Sequence, residues 1–153
     1  MTPLFKKLNF KDQNEIFILN HPEFFRVELQ AMSSCCKIYF QIKPSEQVSF
    51  IMIFVKTQSE INKSAPIIVS SAKGDAIIWY VYPKKSSKKY NCDFDRDHGW
   101  DIMGKLGLEG VRMVAIDEDW SALRFRKVGY IKKMTRSFAM TDEGKNKVNK
   151  TKI

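Results

Sequence analysis

Glycine is missing from the first 73 residues of this 153-residue chain; all seven glycines fall from Gly74 onward. A loop that wraps a phosphate or a nucleoside brings backbone amides close to its ligand, and glycine is used there because a Cβ would intrude. No such cradle can follow the first strand, so no cofactor is expected. Cysteine is scarce: Cys35, Cys36 and Cys92 make neither a C-x-x-C pair nor an even set. That excludes a disulfide scaffold and a zinc or dithiol centre, and leaves three reduced thiols. The two histidines, His21 and His98, stand far apart, and no nucleophile-elbow sequence accompanies them. No apolar run approaches the roughly 20 residues of a membrane span. The opening Met-Thr-Pro-Leu-Phe-Lys-Lys has no apolar segment behind its lysines. No secretory leader or membrane partner is therefore expected, and a cytoplasmic setting is.

What remains suffices for one core. Apolar residues make up 44% of the chain and charged residues 28%, which excludes a disordered or collagen-like chain. The net charge of +9 is uneven: residues 127–153 contribute +6 of it through eight Lys and Arg against Asp142 and Glu143. Residues 1–126 are expected to form a single α/β domain, and residues 127–153 a basic, partly disordered tail. Such a tail can bind nucleic acid weakly by counterion release, or simply be a solvated terminus.

The apolar pattern predicts alternating strands and helices. Glu15 to Leu19 reads as a strand, and Asn20-His21-Pro22-Glu23 as a helix start, with Phe25, Leu29 and Met32 on one face. Cys36, Ile38, Phe40 and Ile42 alternate with polar residues, as on a half-exposed strand. Residues 48–55 and 76–82 are almost continuously apolar, as in strands covered on both faces. Between them, Thr57 or Ser59 caps a helix that Pro66 should kink and Gly74 should end. Asp95 or Asp97 is placed to cap a third helix around Trp100, Met103 and Leu106. Residues 111–117 and 121–126 then form an antiparallel hairpin. Two fully apolar strands joined through a helix imply a parallel crossover. The expected fold is therefore α/β: a three-layer sandwich on a Rossmann-like mixed sheet with an antiparallel C-terminal hairpin.

Strand, helix, strand from Val48 through Gly74 to Tyr82, with the closing hairpin, resembles the C-terminal half of Rossmann-like methyltransferases. Trp79-Tyr-Val-Tyr-Pro-Lys84 and Val114-Ala-Ile-Asp-Glu-Asp-Trp-Ser-Ala-Leu-Arg-Phe125 resemble a family of small uncharacterised bacterial proteins, domain of unknown function 3052. The resemblance covers roughly residues 8 to 126 and implies the fold and a bacterial cytoplasmic home. It carries no activity and no catalytic residues.

Ligands of open α/β sheets sit outside the carboxyl ends of the strands. Tyr82 and Lys84 end one strand there, and Asp117 and Trp120 end another. Arg124 can grip an anion with its planar fork, or pair with Asp117. These five residues are the candidate binding site, for a small anion. No catalytic or metal-ligating residue is expected; Asp93 to Asp101 has acidic spacing, but its glycine falls one place late for a calcium loop. The aromatic run 79–82 can stack bases, or be a core strand. With no cradle after the first strand and no acid after the second to hold a ribose, the expected function is a non-enzymatic binding module on a degenerate Rossmann-like fold. The alternatives are a small transferase-like enzyme with an anionic substrate, and a weak nucleic-acid binder acting through its tail.

Overall fold

The structure, a computed structural model, describes residues 1–131. Residues 132–153, and with them most of the basic tail and its nucleic-acid reading, lie outside the described residues. Elements follow in the order α1 (Pro3–Lys7), β1 (Glu15–Leu19), a 3-10 turn (Glu23–Phe25), α2 (Arg26–Met32), β2 (Lys37–Tyr39), β3 (Val48–Phe54), α3 (Gln58–Ser71), β4 (Ala72–Pro83), α4 (Asp101–Lys105), β5 (Leu108–Ala115) and β6 (Trp120–Lys127). The strands form one sheet in the order β2-β1-β3-β4-β6-β5. The first four run parallel, and β6 runs antiparallel to both β4 and β5. The expected three-layer mixed sheet with its C-terminal hairpin is what the chain forms.

Each face of the sheet has its own core. On one, Phe5 and Leu8 of the α1 segment and Phe25, Leu29 and Met32 around α2 pack on Phe50, Met52, Trp79 and Val81. On the other, Ile61, Ala65 and Ile68 of α3 and Met103 of α4 pack on Ile51, Ile53, Ile78, Tyr80 and Phe125. The aromatic run 79–82 is core: Trp79 and Tyr80 are fully buried. Their polar atoms stay satisfied, since Trp79 Nε1 donates to the Leu8 carbonyl at 2.8 Å and the Tyr80 hydroxyl meets Ser64 Oγ at 2.8 Å. No helix among the described residues is long and apolar enough to cross a membrane.

Four local expectations are corrected. Pro66 does not break α3, which runs on for 14 residues through it. Pro66 and Asn62, whose carbonyl loses its usual donor, both lie on the exposed side, where water can serve that oxygen. Gly74 does not end the helix: α3 passes directly into β4 at Ala72, and Gly74 (φ +55°) sits in the irregular start of that strand, where the register with β3 shifts. Neither Asp95 nor Asp97 caps α4; Asp95 Oδ1 instead closes its own turn, accepting from the Asp97 amide and meeting His98 Nδ1. The second strand is shorter than its alternation suggests, and Phe40 beyond its end is 56% exposed. By contrast Thr57 caps α3 as anticipated, in a reciprocal box with Glu60.

Candidate functional site at the carboxyl ends of the parallel strands

The chain leaves β1 to one side, through α2 to β2, and returns to the other side as β3. That reversal makes the β1/β3 junction the switch point of the sheet, where a crevice opens beyond the strand ends. Asn20, directly after β1, is left-handed (φ +59°), turning the chain sharply toward His21 and Pro22. The His21 ring then rests on Phe40, which follows β2, with centroids 5.1 Å apart. Tyr39 stacks on Phe17 of β1 at 5.1 Å. His21, Tyr39 and Phe40 line a groove of about 750 Å³ that runs along β2, with Arg26 and Gln30 of α2 on its other wall and Cys36 and Lys37 at its far end.

Across the switch point lies a second aromatic group. Trp120, which opens β6, meets Tyr90 at 5.0 Å, Phe54 at the end of β3 at 5.5 Å, and Phe24 at 6.0 Å. Lys56 lies over the Tyr90 ring at 5.2 Å. Trp120 is 1% exposed, and its Nε1 has no hydrogen-bond partner among the described residues. An unmet buried donor costs about 1–3 kcal/mol, which an acceptor on a ligand would offset.

The structure brings four of the five sequence-derived residues to this end of the sheet. Tyr82 pairs with Ser121 and Pro83 with Trp120, while the Lys84 amide donates to the Asp119 carbonyl at 2.7 Å. Asp117 shapes the hairpin turn, its Oδ1 accepting from the Asp119 and Trp120 amides at 2.8 Å. The sheet nevertheless separates the two rings: Trp120 lies on the α2 face, and Tyr82 on the α3 face against Phe94 and Trp100. Arg124 is not with them. It stands four residues further along β6, and its Nη1 reaches Asn9 Oδ1 instead of Asp117.

Tyr82 is 3% exposed and its hydroxyl has no partner in hydrogen-bonding geometry among the described residues. Burial pushes the phenol up to about 12, with the neighbouring Ser121 hydroxyl offsetting part of that. A raised pKa means that the folded state keeps its proton where the unfolded chain has lost it. Tyr82 therefore stabilises the fold fully below pH 10, and that contribution disappears as pH rises to about 12. Melting curves should show the midpoint falling over this window more steeply for the wild type than for Tyr82→Phe. Parallel curves would contradict it.

No protein-family model matches the chain, and no curated protein sequence does. The likeness to the small bacterial family therefore rests on its two motifs alone. Solved structures do match. A SAM-dependent methyltransferase from Aquifex aeolicus superposes with a TM-score of 0.55 at 10% identity, covering 81% of this chain and 87% of its own. This is the Rossmann-like methyltransferase fold. A variant of LepI, solved in complex with SAH and a substrate analogue, superposes at 0.55 with 9% identity over 82% of this chain and 47% of its own. The pyocyanin biosynthetic protein PhzM does so at 0.52 with 8% identity over 80% and 52%. The chain spans about half the length of these last two. The expectation of a non-enzymatic module is corrected by these neighbours: what the methyltransferase fold carries in the Aquifex protein is an enzyme, and the transferase-like alternative fits better.

Sequence reasoning passes over His21, Phe40, Phe24 and Tyr90. His21 reads as part of a helix start, and Phe40 as one apolar position in an alternating strand. The available signal is the turn at the end of the first strand, where a switch point places ligands whether or not glycine is present.

Proposed function

We propose that the chain is a small-molecule methyltransferase whose nucleoside cosubstrate lies in the groove beside His21 and Phe40. The observation that carries this reading is that groove, which runs along β2 beside α2 and reaches the carboxyl end of β2, where the His21 and Phe40 rings meet. Its volume falls within the roughly 300–1,000 Å³ of ordinary ligand pockets.

The residues suit a nucleoside held by stacking, not by a backbone cradle. His21, Tyr39 and Phe40 offer flat faces for a purine, and Arg26 and Lys37 line the same groove as cations for a carboxylate. The turn itself contributes little: Pro22 has no amide hydrogen, Asn20 and His21 carry side chains, and Gln41 to Lys43 include no acid for a ribose. S-adenosylmethionine, when bound, supplies an electrophilic methyl group on a sulfonium sulfur.

The chain's own residues would then bind, orient and exclude water. Phe24, Phe54, Tyr90 and Trp120 form a dry aromatic wall beside the switch point, where a cationic centre is favoured over ring faces. Trp120 Nε1, buried in that wall and without a partner among the described residues, becomes a donor for an acceptor molecule once the wall opens. His21 is the imidazole that lines this groove and can take a proton from an attacking hydroxyl or amine.

Without a cradle the expected affinity is modest. Calorimetric titration of the full chain with S-adenosylhomocysteine should give a dissociation constant on the order of 10–100 µM, or about −7 to −5.5 kcal/mol. No saturable heat at millimolar ligand would overturn the proposal.

A further inference from the structure

A cationic cluster lies away from the crevice, on the α1 side of the sheet. Arg124 of β6 stands directly opposite Arg112 of β5, with Trp79 of β4 on its other side. Arg126 follows two positions along the same strand and so on the same face. Like charges placed opposite one another across a sheet are unfavourable, so each needs compensation. Arg126 has it: its Nε and Nη2 reach Asp75 Oδ1 and Oδ2 at 2.9 and 2.7 Å, a bidentate pair. Glu109 also lies opposite Arg126 in the ladder.

Arg124 is less well served. Its one side-chain partner among the described residues is Asn9 Oδ1, neutral and at 3.3 Å. Its Nε is buried without a partner among those residues. Burial foremost, then Arg126 and Arg112, bear against its charge, with Asp75 only partly offsetting them. Guanidinium stays charged in proteins, so the charge is held at a cost. Arg112 is exposed on the edge strand, opposite it. Asn9 itself is left-handed (φ +66°), in the connection that follows α1, which brings its carboxamide to Arg124.

We infer that Arg112 and Arg124, with Asn9 beside them, form an oxyanion site that takes the phosphate of a phosphomonoester. Two guanidinium groups match the charge of about −1.5 to −2 that a phosphomonoester carries at neutral pH. Arg124 Nη1, held only by the neutral Asn9 carboxamide, and the exposed guanidinium of Arg112 are the donors that phosphate oxygens would meet. A nucleic-acid diester has one charge per phosphate and would leave one arginine uncompensated. The site is separate from the proposed cosubstrate groove: Arg124 is four residues from Trp120, about 13 Å along the strand. It stands or falls without reference to methyl transfer.

The test uses the full chain with no nucleoside ligand present. Inorganic phosphate, at fixed ionic strength and pH 7.5, should raise the melting temperature by mass action on the folded state, relative to chloride. Arg124→Met should abolish the shift, and Arg112→Gln, at an exposed position that leaves the fold intact, should weaken phosphate binding at least 10-fold. Arg96→Gln, an exposed arginine elsewhere, should leave it unchanged. Equal phosphate stabilisation of wild type and Arg112→Gln would overturn the inference. So would a single-stranded oligonucleotide without terminal phosphate that binds in an Arg112-dependent way while inorganic phosphate does nothing, since the site would then read a diester backbone.

Discussion

Trp79→Ala is expected to destabilise the fold by about 4 kcal/mol, a large part of the roughly 5–15 kcal/mol that holds a domain together. Trp79 is fully buried in the centre of the longest strand, between Met52 of β3 and Arg124 of β6. Removing the indole leaves a cavity that the flanking strands cannot close. It also orphans the Leu8 carbonyl, which accepts the indole proton at 2.8 Å. That bond anchors the α1 segment, whose Phe5 and Leu8 fill the same core. Trp79→Phe separates the two effects: it restores most of the ring and loses only the hydrogen bond, for about 1–2 kcal/mol. Urea unfolding measures both. A loss below about 1.5 kcal/mol for the alanine variant would mean that α1 is not docked as described.

The second large effect is on binding, with little on stability. His21→Ala and Phe40→Ala should each weaken S-adenosylhomocysteine binding by about 5- to 100-fold, since one base–aromatic stacking contact contributes about 1–3 kcal/mol. Phe40 is more than half exposed and His21 lies in a connection, so unfolding midpoints should move little. The combination separates a ligand wall from a structural one. If Phe40→Ala lowers stability as a core variant does while binding is unchanged, the His21–Phe40 stack only pins the end of β2.

The parts of the fold legible in the sequence are those set by local chemistry. The apolar runs of β3 and β4 announce strands covered on both faces, and Thr57 or Ser59 announces a helix start, which the structure resolves to Thr57 through its reciprocal box with Glu60. The hairpin of β5 and β6 is equally local. What escapes depends on distant partners. The α1 segment has only five helical residues, and it holds through Phe5, Leu8 and a bond from Trp79, 71 positions away. Pro66 reads as a break until its exposure is known. Gly74 reads as a cap until the register of β4 against β3 shows where the irregularity falls.

The site is harder still. A rule about topology, not their own chemistry, points Tyr82, Lys84, Asp117 and Trp120 to this end of the sheet. Which face each side chain takes depends on register, and register sends Tyr82 and Trp120 to opposite sides. The partner of Arg124, Asn9, is 115 residues away on a connection that carries no motif. Missing glycine reads as missing function, although stacked rings can hold a nucleoside where backbone amides do not.

The central claim concerns one crevice, and the three tryptophans report on it directly. Trp79 Nε1 donates to Leu8 and Trp100 Nε1 to the Asp95 carbonyl, whereas Trp120 Nε1 has no acceptor among the described residues. In a nitrogen–proton correlation spectrum of the labelled chain, the indole signals can be assigned by Trp120→Phe and Trp100→Phe. Titration with S-adenosylhomocysteine should shift the Trp120 indole and the amides around His21 and Phe40 in a saturable way, leaving the Trp79 indole in place. Saturable shifts confined to other parts of the sheet, or none at millimolar ligand, would contradict the account.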